Sequence, residues 1–262
     1  MRPSPLAPEL EPGPAPAPTF RVLQVWPRSE GPAGGAALGS EPTAAVRGLW
    51  RALDAAGVRQ QIVTPGPPRS PRRRRWGLHG EIHRVVPPAG ARLLFGLAAA
   101  PLMDELAART DLVHVHLAGA PSTVAAALWA ARRQGVAAIV DVPAGRVGER
   151  AGGRSAPRFS ALEHRVLVRA DAVLCPDDGT LQRLAGRGLP EELLVPLPRN
   201  APPAHDGGRG APATASVAPQ IRWGPVAADL LGIYRRMRRR AASGDRRRPA
   251  GRPLAEATGE GR

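Results

Sequence analysis

The chain has 262 residues and a formal net charge of +15. All 37 basic residues are arginine, the bias of a GC-rich coding sequence, and aromatics are only 3%, so the charge comes with little for base stacking and points away from nucleic acid. A single cysteine, Cys175, excludes a disulfide framework and reads as a small buried hydrophobe; with no stretch near the ~20 apolar residues of a membrane span, a cytoplasmic protein is expected.

Residues 1–19 are a Pro/Ala tract without the apolar core of a signal peptide, and are expected to be disordered. Phe20 to Trp26 reads as the first strand and Pro27 to Gly35 as a glycine-rich loop. Glu41 to Ala56 reads as a helix with Leu49, Trp50 and Leu53 on its apolar side, and Gly57 is placed to stop it. Arg59 to Thr64 is the second strand. Together they make a strand–loop–helix–strand unit of the kind that builds parallel sheets. Pro65 to Arg75 reads as a Pro/Arg loop, Glu81 to Val86 as a weak strand, and Leu93 to Arg109 as a helical region interrupted at Pro101.

Asp111 to His116 is a short buried strand carrying Leu112, Val113 and Val115. Gly119 and Pro121 end it, and Ser122 and Thr123 are placed to cap the helix from Val124 to Arg133. His114 and His116 have equal parity, so both project from one face. They sit near the carboxyl end of the strand, where open α/β sheets bind ligands. Ala137 to Val142 is another buried strand, and Ala144 to Ala156 a Gly/Arg loop. Arg158 to Arg169 is a helix with Phe159, Leu162, Val166 and Leu167 at helical spacing. Ala172 to Cys175, Gly179 to Ala185 and Leu193 to Val195 complete the alternation as strand, helix and strand. The pattern predicts about seven strands in one α/β domain, a Rossmann-like parallel sheet flanked by helices over 20–198. Residues 199–220 read as a linker. A C-terminal amphipathic helix is predicted over 221–241, with Val226, Leu230, Ile233, Tyr234 and Met237 in one stripe. A disordered basic tail, 242–262, follows.

These pieces resemble the N-terminal half of the GT-B glycosyltransferases, specifically glycosyltransferase family 4. Arg21-Val-Leu-Gln-Val-Trp-Pro27 followed by Gly34-Gly35 is similar to the family's opening strand and glycine loop. Thr43 to Val58 resembles its first helix and the turn after it. Asp111-Leu-Val-His-Val-His116 resembles its "D-V-V-H-x-H" strand, and Leu162 to Leu174 its "L-E-R-x-L-L-R-R-A-D-A-V-I" segment. Trp223 to Met237 resembles the terminal helix that ends in "L-x-x-Y-R-R" and crosses back onto the N-terminal domain.

The resemblance implies retaining transfer of a sugar from a nucleotide-sugar co-substrate to an acceptor hydroxyl, with no bound cofactor and no metal. It makes His116 the catalytic-site candidate on the acceptor side, with His114 beside it. It sets Gly34 and Gly35 near phosphate, which the N–H groups of a helix N-terminus suit. A histidine pair without a third ligand is also weak evidence for a metal. The family's donor site lies in a second Rossmann domain, with a basic pair and two glutamates eight positions apart. Two such domains need about 150 residues each, yet only residues 199–220 separate the matched parts, and no two glutamates have that spacing. Pro143 and Pro176 stand where the family has a histidine and a serine, and Leu197-Pro-Arg-Asn-Ala201 lacks the hinge glycine. The expectation is a transferase with its donor-binding domain missing, weakly active or inactive alone. Two alternatives stand beside it. One is the acceptor-binding subunit of a split transferase whose donor domain is a partner chain; the other is a non-catalytic basic binding protein. Arg72 to Arg75 and the C-terminal arginines suit peripheral contact with an anionic membrane.

Overall fold

The computed structural model describes residues 20–27, 44–66, 71–87, 94–117, 121–142, 161–197 and 223–244. Eight strands form: β1 (Phe20–Val25), β2 (Val58–Pro65), β3 (Arg73–Trp76), β4 (Gly80–Val85), β5 (Leu112–His116), β6 (Ala137–Asp141), β7 (Ala172–Cys175) and β8 (Leu194–Pro196). The helices are α1 (Ala44–Ala55), α2 (Phe95–Ala107), α3 (Pro121–Arg133), α4 (Ala161–Leu167), α5 (Asp178–Ala185) and α6 (Trp223–Ala242). The strands make one sheet in the order β3-β4-β2-β1-β5-β6-β7-β8. Every neighbouring pair is parallel except β3 and β4, which are antiparallel. This is an open α/β sheet of Rossmann type.

The central strands are apolar on both sides, as parallel strands covered by helices must be. Leu23, Val25, Val113, Val115 and Val140 pack with α2, α3, α4 and α5. The alternate residues Phe20, Val22, Leu112, Ile139 and Leu174 pack with α1 and α6. Alpha-helix α2 approaches α3 so closely that a Cβ on Gly96 would lie 2.7 Å from the backbone of Thr123. The predicted C-terminal stripe is the buried face of α6: Val226, Leu230, Ile233, Tyr234 and Met237 are all buried, with Ala227 and Leu231 beside them. Tyr234 stacks on Phe20 at 6.0 Å between ring centroids. Trp223 lies against Gly48 of α1, where a Cβ would overlap the indole. Arg238 reaches back over the Phe20 ring.

Four sequence expectations change. Part of the Pro65 to Arg75 stretch, together with Trp76, is the edge strand β3, so the sheet has eight strands rather than about seven. Periodicity could not show it, because Arg73, Arg74 and Arg75 are all exposed; the strand is held by its pairing to β4 and by Arg73 on Glu81 at 2.6 Å. The turn between them is closed by Asp54, which accepts from the N–H groups of Leu78 and His79, and Gly77 there has φ +59°. Secondly, α2 runs unbroken through Pro101. Proline removes the hydrogen bond to the carbonyl four residues back, and that residue, Leu97, lies on the solvent side of the helix at 67% exposed, where water can take the partner's place. Thirdly, Leu162 is 53% exposed, whereas Val166 and Leu167 are buried. Lastly, α3 begins at Pro121, earlier than the Ser122–Thr123 cap, since proline fits a first helical turn. Among the described residues no helix is long and apolar enough to cross a membrane.

Candidate functional site

Strand order reverses between β1 and β5. One leads outward to β2 and β4, the other to β6, β7 and β8. In open α/β sheets the crevice at such a reversal, at the carboxyl ends of the strands, is where ligands bind. Three side chains stand there on the α1/α6 side. Trp26 follows β1, His116 ends β5 and Asp141 ends β6, and the register sets His116 directly beside Asp141. Behind them, Gln24 of β1 lies next to His114 of β5.

This region is a buried polar layer within an otherwise apolar face. Its first part is a closed loop of hydrogen bonds. The Trp50 indole N–H donates to Gln24 Oε1 at 2.6 Å. Gln24 Nε2 donates to Gln60 Oε1 at 2.8 Å, and Gln60 Nε2 donates to the Trp50 carbonyl at 2.7 Å. Each buried amide is thereby partnered, as burial requires. The second part is built on the histidines. His114 Nδ1 and the Tyr234 hydroxyl are 2.7 Å apart. His116 Nδ1 donates to Asp141 Oδ2 at 3.0 Å. The two imidazoles lie 4.5 Å apart, tilted by 34°, and the edge of Trp26 meets His116 at 4.5 Å between ring centroids. Neither histidine Nε2 has a hydrogen-bond partner.

Burial holds the His114 imidazole neutral, pushing its pKa down to about 3, with the neighbouring His116 acting in the same direction. Burial likewise raises the Tyr234 hydroxyl well above its ordinary value, with Asp141 nearby adding to the effect. Both groups therefore stay uncharged across the physiological range. The Cys175 thiol, buried on β7, is pushed up to about 12, chiefly by burial, so it is not a nucleophile.

The structure thus brings His114 and His116 together on one face, as their parity predicts, and both are almost wholly buried. Gly34 and Gly35 lie outside the described residues, as does Pro143. Pro176 follows β7 and leads into the Asp177 cap, whose carboxylate accepts from Thr180 N–H at 2.6 Å. Sequence reasoning missed Asp141 as a partner of His116. The signal was available: β5 and β6 are both five residues long, and in-register pairing puts their last residues level. Tyr234 was visible as part of an apolar stripe, but its hydroxyl contact needs the fold.

A glycosyl transferase 4-like domain model matches residues 40–200. No curated protein sequence matches the chain. Among solved structures, the chain resembles a UDP-GlcNAc 2-epimerase from Methanocaldococcus jannaschii at 12% identity and a TM-score of 0.43, covering 70% of this chain and 46% of that one. It resembles another UDP-N-acetylglucosamine 2-epimerase at 16% identity and a TM-score of 0.44, covering 70% of this chain and 49% of that one. Anabaena HepE in complex with UDP and glucose matches at 14% identity and 0.43, covering 68% and 44%. The chain spans less than half the length of each of these structures. The domain model, by contrast, covers more than half of the chain, and the chain belongs to the glycosyl transferase 4-like domain family.

Proposed function

We propose that the chain is the acceptor-side domain of a glycosyltransferase, working on a hydroxyl of its acceptor, and that it does not turn over a nucleotide-sugar by itself. The observation that carries this reading is the His116–Asp141 pair at the sheet's reversal point. The carboxylate accepts the Nδ1 proton and so fixes the ring, and Nε2, buried and without a partner, is the atom that an acceptor hydroxyl entering the crevice would have to reach. A donor diphosphate needs cationic groups to stabilise its departure. In this reading they belong to a second Rossmann domain, and the 199–220 segment between the matched domain and α6 is far shorter than the ~150 residues such a domain needs. In this reading a donor-binding half meets the carboxyl edge of the sheet, and the enzyme works in the cytoplasm.

Saturation-transfer NMR with a panel of monosaccharides, disaccharides and sugar phosphates tests the acceptor role. The expected result is contact with at least one sugar, lost in His116→Ala while the fold is kept. A silent panel, or binding that survives the substitution, overturns it.

A further inference from the structure

The acceptor crevice lies at the carboxyl ends of the strands. A second cavity, of about 510 Å³, lies near their amino ends on the opposite, α2-covered face. That volume is within the range of small-molecule sites, roughly 300–1,000 Å³. Four guanidinium groups line it: Arg21 and Arg59, register partners on β1 and β2, with Arg73 of β3 and Arg109 just past α2. The opposing carboxylates are largely engaged. Glu81 is gripped by Arg73 through two nitrogens, at 2.6 and 3.0 Å. Glu105 meets Arg109 at 3.4 Å on the exposed surface of α2, where such a pair is weak. Asp111, 3.7 Å from Arg21, is shared with Arg238 at 3.8 Å. Among the described residues no carboxylate closes an ion pair with Arg59, which acts on Glu81 only at longer range. Arginines therefore outnumber carboxylates by two around one concave space. The floor is polar: His83 Nε2 donates to Gln61 Oε1 at 2.6 Å, and burial keeps the His83 ring neutral by lowering its pKa. Leu102 and Leu106 add an apolar wall. Carbonyls at a helix C-terminus oppose an anion, but those of Asp104, Leu106 and Ala107 are taken by the N–H groups of Ala108, Arg109 and Thr110.

We propose that this cavity binds a phosphate monoester, with the phosphate held among Arg21, Arg59 and Arg109 and the polar carbon skeleton lying against Gln61 and Leu106. Such a phosphate carries a charge of about −1.5 to −2 near neutral pH, which matches the arginine excess, whereas a single carboxylate brings half of it. Its oxygens also suit the two-pronged grip of a guanidinium. A nucleotide-sugar, whose phosphates are both esterified, lacks that terminal dianion and is not this ligand. The site uses no part of the His116 crevice and stands whether or not the chain takes a sugar acceptor.

The test is calorimetry of the full chain with glucose 6-phosphate at physiological ionic strength, with glucose as the uncharged control. Saturable one-to-one binding of the phosphate, and none of glucose, is expected. Arg59→Gln should weaken it about 10-fold or more; Arg59 is exposed, so the fold should be kept. Glu105→Gln should act in the opposite direction, tightening binding about 2- to 5-fold by releasing Arg109, a sign that loss of structure does not produce. His116→Ala and Arg235→Gln, the latter on the exposed side of α6, should leave the affinity unchanged. Vesicles of phosphatidic acid, compared with phosphatidylcholine, separate the two sources of a monoester: Arg59-dependent capture by the former without binding of glucose 6-phosphate assigns the site to a lipid headgroup. Binding of neither probe, or affinity untouched by Arg59→Gln, overturns the proposal. So does binding without saturation, or an equal loss in Arg59→Gln and Arg235→Gln, either of which marks a general polycation. Loss in His116→Ala alone would put the sugar phosphate in the acceptor crevice and overturn this site while supporting the other.

Discussion

Replacing Tyr234 tests whether α6 is a structural part of the domain. Its ring is fully buried, stacks on Phe20 and points its hydroxyl at His114. Tyr234→Phe keeps the ring and removes the hydroxyl, leaving His114 Nδ1 buried and unpaired at a cost of about 1–3 kcal/mol. Tyr234→Ala also opens a cavity between α6 and the sheet, and aromatic-to-alanine changes in cores cost about 3–5 kcal/mol. A domain of this kind has about 5–15 kcal/mol of stability in all, so the alanine variant should lose a large part of it. The assay is urea unfolding followed by tryptophan fluorescence. With a slope of roughly 2 kcal/mol per molar urea, the phenylalanine midpoint should fall by about 1 M and the alanine midpoint by about 2 M. The ranking wild type, Phe, Ala is required. Two variants within about 0.5 kcal/mol of wild type would show that α6 is not seated on Phe20 and His114, and the packing account would be refuted.

Acid should destabilise the fold early. The folded pKa of His114 is lowered to about 3 from about 6.5 unfolded, so its contribution is intact above pH 6.5 and drains away as pH falls toward 3. The loss is about 1.4 kcal/mol per pH unit, or roughly 2 kcal/mol between pH 6.5 and 5, read by urea midpoints. His83, lowered by burial, acts in the same direction, and a flat profile over that window would contradict both. Gly96→Ala should cost about 1–3 kcal/mol, because its Cβ meets the Thr123 backbone rather than a side chain that can turn away; a thermal scan unchanged from wild type would count against the α2–α3 contact. Cys175, with its thiol held up near 12, should react with a thiol reagent at pH 8 only in denaturant, and prompt labelling of the native chain would place β7 at a surface.

The layered α/β architecture was legible because burial on both faces of β1, β5, β6 and β7 writes near-continuous apolar runs, and because Gly57 marks a helix end. The β3 edge was not, since an exposed Arg-rich strand owes its conformation to β4 and not to its own pattern. Pro101 misled for a related reason: the penalty of a helical proline depends on whether the freed carbonyl meets water, which only the packing decides. At the site, parity was enough to pair His114 with His116. The partners that give those rings their chemistry, Asp141 and Tyr234, come from a neighbouring strand and from a helix 120 residues away in sequence, and no local signal joins them.

An acceptor-side domain without the cationic groups that a donor diphosphate needs should not hold a nucleotide-sugar on its own. Isothermal calorimetry of UDP-, GDP- and ADP-sugars against the purified chain checks this. No saturation below millimolar concentration is the predicted result. Stoichiometric binding of any of them at micromolar concentration to a monomer would contradict it.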